Sequence, residues 1–174
     1  MRAATLTSHS LPVSSVFAGL LCGLAAGASA QSSDYDPYRE DAQNMRLVGY
    51  NDLQGRSAYQ PTIQQQGNRW IAYIGHHNGR HLNPLTGAEE SNGTSILDVT
   101  DPENPVYLHH IPGTDGDGDG SSEAQMVRTC AGSDLPEGVN GAYYLLRADG
   151  PHGHQIYDVT DPAEPELVSS MEGD

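Results

Sequence analysis

The chain has 174 residues and a formal net charge of −15, with 23 carboxylates, eight arginines and no lysine. An exterior this acidic repels phosphate backbones and anionic lipid headgroups, which argues against a nucleic-acid partner. Its two cysteines, Cys22 and Cys130, are too few for a disulfide framework.

Residues 1–30 read as a secretory signal peptide. Arg2 supplies the positive start, Leu11 to Ala28 the apolar stretch, and Ala28-Ser29-Ala30 the small-residue cleavage site before Gln31. The apolar run is too short and too rich in Gly and Ala to span a membrane, so no transmembrane segment is expected. The protein is therefore expected outside the cytoplasm: secreted, periplasmic or on the cell surface. Residues 31–43 are expected to be a disordered start to the mature chain, in which Cys130 is the lone cysteine and reads as a small structural side chain.

From residue 44 to 174 no stretch keeps a helical period. Short β-rich runs alternate with clusters of Gly, Pro, Asn and Asp, the pattern of an all-β protein. MRLVGY (45–50) comes first. AYQPTIQQ (58–65), RWIAYIGHH (69–77), TSILDV (94–99) and PVYLHHI (105–111) follow it. The same order returns as EAQMVRTC (123–130), GAYYLLR (141–147), HQIYDV (154–159) and PELVSSM (165–171). Two four-stranded antiparallel units in tandem predict two blades of a β-propeller, with MRLVGY as an N-terminal closing strand of fourth-strand type. Propellers need roughly four to eight blades. The chain is accordingly expected to be the N-terminal portion of a longer propeller, or else to assemble with other copies of itself.

The most regular feature is DVTDPxxP, at Asp98–Pro105 and again at Asp158–Pro165. Proline fixes φ near −65° in the turn, and the preceding Asp side chain can accept from nearby backbone N–H groups. These carboxylates therefore read as turn residues. SILDVTDPENP and QIYDVTDPAEP resemble the LVIVD repeat, found in secreted or surface bacterial and archaeal proteins. The resemblance covers most of residues 44–173 and implies a β-propeller outside the cytoplasm, with no established reaction.

In blade topology, the connection between second and third strands emerges on the same side as the connection to the next unit. His76, His77 and His81 fall there in the first unit. Arg147, Asp149, His152 and His154 fall there in the second, and Asp115, Asp117, Asp119 and Glu123 between units. Loops on a rigid scaffold are where ligands are usually held. Two functions follow. The first is a binding or scaffold module taking a protein or small-molecule ligand on this side, with His81, Arg147 and Asp149 among the contacts. The second is a metal-dependent enzyme with His76, His77, His152 and His154 as ligands to a transition metal. The paired histidines resemble those of selenium-binding, methanethiol-oxidase-type propellers, which implies an oxidase-like activity for that second reading.

Asp115, Asp117, Asp119 and Glu123 stand at positions one, three, five and nine of a calcium-loop pattern. Met126 occupies position twelve, where a bidentate Glu belongs, so calcium and a solvated acidic loop remain alternative readings. Asn92-Gly93-Thr94 matches a glycosylation acceptor. GxSxG, Cys–His spacing and phosphate-loop signatures are absent from the sequence.

Overall fold

The computed structural model describes residues 44–114 and 124–172. The signal peptide, the 31–43 segment and the candidate calcium residues Asp115, Asp117, Asp119 and Glu123 lie outside the described residues.

Among the described residues ten strands form, in chain order: β1 (Ala58–Gln66), β2 (Arg69–His76), β3 (Arg80–Asn83), β4 (Ala88–Ser91), β5 (Thr94–Asp98), β6 (Val106–Ile111), β7 (Val127–Ala131), β8 (Tyr143–Ala148), β9 (His154–Asp158) and β10 (Glu166–Met171). All pairings are antiparallel. They make a first sheet in the order β1-β2-β5-β6 and a second in the order β7-β8-β9-β10, with β3-β4 a separate hairpin. The fold is all-β, and each four-stranded sheet follows the order expected from the repeat.

The two sheets share one register. Ile71 faces Asp98 in the first, and Tyr144 faces Asp158 in the second. The repeated turn explains why. Asp98 Oδ1 accepts from the Thr100 N–H at 2.9 Å, and Asp158 Oδ1 from Thr160 at 2.8 Å. The threonine hydroxyls accept from the N–H groups of Trp70 and Tyr143, at 2.9 and 3.1 Å, locking each turn to the neighbouring strand. Asp101 and Asp161 cap the next bend, each accepting a backbone N–H two residues ahead at 3.0 Å. Every carboxylate of the two DVTDP copies thus serves the turn.

The sheets stack face to face. Ile71, Tyr73, Ile96 and Ile111 of the first pack on Val127, Leu145, Tyr157 and Val159 of the second, all buried. Thr62 Oγ1 donates to the Val127 carbonyl at 3.3 Å, and His109 Nδ1 lies 3.0 Å from the Ala163 carbonyl. Gly75 sits in β2 where residues 124–125 cross it. A Cβ there would strike the Ala124 and Gln125 carbonyls.

Two features differ from the sequence expectation. Residues 45–50 form no strand. They lie along the turn after β5, with Gly49 pressed on the Pro102 carbonyl so closely that a Cβ would overlap it. A strand needs a ladder partner, and likeness to the fourth-strand runs does not supply one. The 75–93 connection is not an open loop, since it contains the β3-β4 hairpin. Pro61 lies inside β1, which tolerates it through a bulge between Tyr59 and Thr62 and a positive φ of 41° at Gln60. Among the described residues, no helix is long and apolar enough to cross a membrane.

Candidate functional site

The side of the sheets singled out by the sequence has a floor and a rim. His76 and Asp149 form the floor, His76 as the last residue of β2 and Asp149 at the equivalent position just after β8, and both are buried. Gly93 accepts the His76 N–H, and Gly153 accepts the Asp149 N–H.

His76 is 0 % exposed and both ring nitrogens are engaged. The Ser57 carbonyl is 2.8 Å from Nδ1 and the Ser95 hydroxyl 2.7 Å from Nε2. A carbonyl only accepts, so Nδ1 carries the proton and Nε2 accepts from the Ser95 hydroxyl. Burial pushes the His76 pKa down to about 4, assisted by the Arg56 charge, while the Ser57 carbonyl works in the opposite direction. The ring is neutral near pH 7. A serine hydroxyl on an imidazole has the reach of a nucleophile and its base. Ser95 is also 0 % exposed, however, so no substrate reaches the pair and it acts as a strand lock.

Arg147 is buried to 1 % exposure and stitches the two sheets together. Its guanidinium donates to the Ile111 carbonyl at 3.0 Å, the Pro112 carbonyl at 2.8 Å and Gln155 Oε1 at 2.7 Å, and it stands 5.3 Å from the centre of the Tyr157 ring. Asp149 lies 3.8 Å from it and accepts from the Thr114 hydroxyl at 2.6 Å. Neither side chain reaches solvent to meet a ligand, which corrects their expected role as ligand contacts. They hold the connection after β6 against the second sheet.

The 75–93 connection is fastened by Arg56 and Asn92. Arg56 donates to Asn92 Oδ1 at 2.6 Å and to the His81 carbonyl at 3.0 Å. Asn92 Nδ2 donates to the His77 carbonyl at 2.9 Å, and its Oδ1 lies 3.1 Å from His81 Nδ1. Asn92 is 1 % exposed, which removes it as a glycan acceptor. The buried His110 on β6 has its Nε2 3.1 Å from the Ser91 carbonyl, and burial lowers its pKa to about 4. Arg56 escaped the sequence reading because its partners lie 25 to 36 residues away in the chain.

The rim is what remains accessible. His152 and His154 are exposed, and His77 is half-buried with its ring edge-on to Tyr59 at 5.2 Å. His81 is half-buried and tied to Asn92. The four-histidine set proposed for a metal therefore divides, with His76 locked below and His77, His152 and His154 above. Binding through His76 would require breaking the Ser57 or Ser95 contact. Among the described residues, no three His, Cys, Asp or Glu side chains are gathered to hold a metal ion.

No family model, no curated protein and no solved structure matches the chain.

Proposed function

We propose that this is an exported binding or scaffold module built from LVIVD-type β-propeller blades, holding a protein or small-molecule ligand on its histidine-bearing side. The observation that carries this reading is the division between floor and rim. His76, Arg147 and Asp149 are committed to the scaffold, while His77, His152 and His154 are left accessible on a rigid support at corresponding strand connections of the two units. Stacked sheets of equal strand order are what a propeller repeats around its axis. The leader composition supports export.

The test is a thermal-shift screen with divalent cations, carboxylic acids and saccharides. It compares the natural chain with a His77→Ala/His152→Ala/His154→Ala variant. A stabilising compound whose effect disappears in the variant supports the rim as the binding site. A compound that stabilises both equally places binding elsewhere and sinks this reading. For the export part, expression with the natural leader should yield a secreted product beginning at Gln31, and retention of the leader would refute it.

A further inference from the structure

The outer face of the second sheet, away from the first, is a concave apolar surface of about 450 Å³. Arg128, Cys130, Tyr144, Leu146, Ile156 and Val168 line it, with Thr129 and Leu135 at its margin. Through the shared register these six positions correspond to Thr62, Gln64, Ile71, Tyr73, Ile96 and Leu108 of the first sheet. Ile71, Tyr73, Ile96 and Leu108 belong to the core that the second sheet covers, and Thr62 bonds to β7 across that contact. The open face is thus the repeat of a face that is already a sheet-on-sheet interface.

The chain also carries a second copy of the covering surface. Leu145, Tyr157 and Val159 do the covering in the second sheet, and their counterparts in the first are Ala72, Leu97 and Val99 on its outer side. Ala72 and Leu97 are already buried there, 6 % and 4 % exposed, with Leu53 packed against them. The part near Ile63 and Trp70 is open, with these residues 58 % and 46 % exposed. Trp70 is the counterpart of Tyr143, whose hydroxyl accepts from the Gly67 N–H in the turn between β1 and β2. A Trp70 placed the same way on another molecule would meet the turn between β7 and β8, where Leu135 is 43 % exposed beside the apolar surface.

From this matching we infer that the open face of the second sheet docks the outer face of the first sheet of another copy of this chain, head to tail. Trp70 and Ile63 of the incoming copy cover Leu135, Tyr144, Leu146 and Ile156 of the first. The contact is heterologous, so it propagates and closes into a ring if the rotation per copy allows. It repeats within the assembly the apolar packing that already joins the two sheets of one chain. This inference rests on sheet geometry and not on the proposed binding at the histidine rim, which the variants below leave untouched.

Sedimentation velocity over a concentration series tests it. The natural chain should associate as concentration rises. The emission of Trp70, the sole tryptophan, should shift to the blue, and the Cys130 thiol should lose its reaction with a water-soluble disulfide reagent. Leu146→Glu and Trp70→Glu should each stay monomeric with unchanged far-ultraviolet circular dichroism. Val168→Glu, at a site 58 % exposed, repeats the Leu146 experiment if that chain misfolds. Mixing a Leu146→Glu or Val168→Glu chain with Trp70→Glu leaves one intact face on each, so a one-to-one pair should form. A natural chain that remains monomeric overturns the inference. So does association that persists in Trp70→Glu, because the face would then be meeting its own copy.

Discussion

The two sheets are the same repeat in different surroundings. Their ladders and turns agree almost bond for bond, yet equivalent side chains meet different fates. Ile96 is fully buried while Ile156 is half-exposed, and Leu108 is half-buried while Val168 is 58 % exposed. Where the first sheet has Ile74, Gly75, His76 and His110, the second has Arg147, Ala148, Asp149 and Ser170. Gly75 is required because residues 124–125 cross it, whereas Ala148 has the Cβ that Gly75 lacks. The repeat specifies a ladder and a turn. What each face becomes depends on the neighbour it is given.

Replacing the residue that binds the sheets together should break this arrangement most severely. Arg147→Ala leaves the Ile111 and Pro112 carbonyls without their donor and Asp149 with an unpaired buried charge. A loss of about 3–5 kcal/mol is expected in urea unfolding. A loss below about 1 kcal/mol would show that apolar contact alone holds the pair of sheets.

The buried isoleucine sharpens the contrast next. Ile96→Ala should cost about 2–5 kcal/mol by removing methyl groups from a filled core. Its counterpart Ile156→Ala should cost under about 1 kcal/mol in dilute solution, since its face is open there. Equal losses for the two would mean that the second face is already covered at that concentration.

Acid should act on the first sheet. His76 and His110 are neutral when folded, because burial lowers both pKa values to about 4, and the unfolded chain protonates them near 6.5. Their contribution is therefore complete above about pH 6.5 and is lost as the pH falls toward 4. At pH 5 the loss is about 2 kcal/mol for each imidazole. Asp98 and Glu90 also have lowered pKa values. Burial opposes that lowering at both sites, and hydrogen bonds from Thr100 at Asp98 and from Thr86 and Asn83 at Glu90 outweigh it. These carboxylates titrate below their ordinary values of 3.8 and 4.5, so melting between pH 6.5 and 5 isolates the histidines. His110→Gln should roughly halve the slope in that window.

The smallest expected effect lies in the turn the sheets share. Asp161→Ala removes the acceptor for the Ala163 N–H, and Asp101→Ala the acceptor for Glu103. Each should lower the melting temperature slightly, and by the same amount. Matching values would confirm that the turns are energetically alike even where the faces are not.

Much of the ladder was legible beforehand. AYQPTIQQ anticipated β1, TSILDV anticipated β5, and the Asp-Pro pairs placed both turns, because alternation and turn chemistry act within a few residues. The β3-β4 hairpin was not legible, since RHLN and AEES carry no apolar alternation. MRLVGY misled in the opposite sense: it resembles the fourth-strand runs, but strand formation requires a partner edge. For the candidate site, chain order placed His76, Arg147 and Asp149 at the second-strand ends but carried no signal that they are buried while His152 and His154 are exposed.

The DVTDP repeat, with its aspartates, threonines and prolines, was enough to settle strand order, register and turn, because each interaction spans a few residues or one ladder step. Depth and chemistry followed from longer reach. Arg147 finds its acceptor 36 residues away, and His76 is held between Ser57 and Ser95, each 19 residues away. Such contacts exist only once distant strands have paired and packed, and the desolvation that comes with packing is what turns His76 into a strand lock while its neighbour His77 stays half-buried.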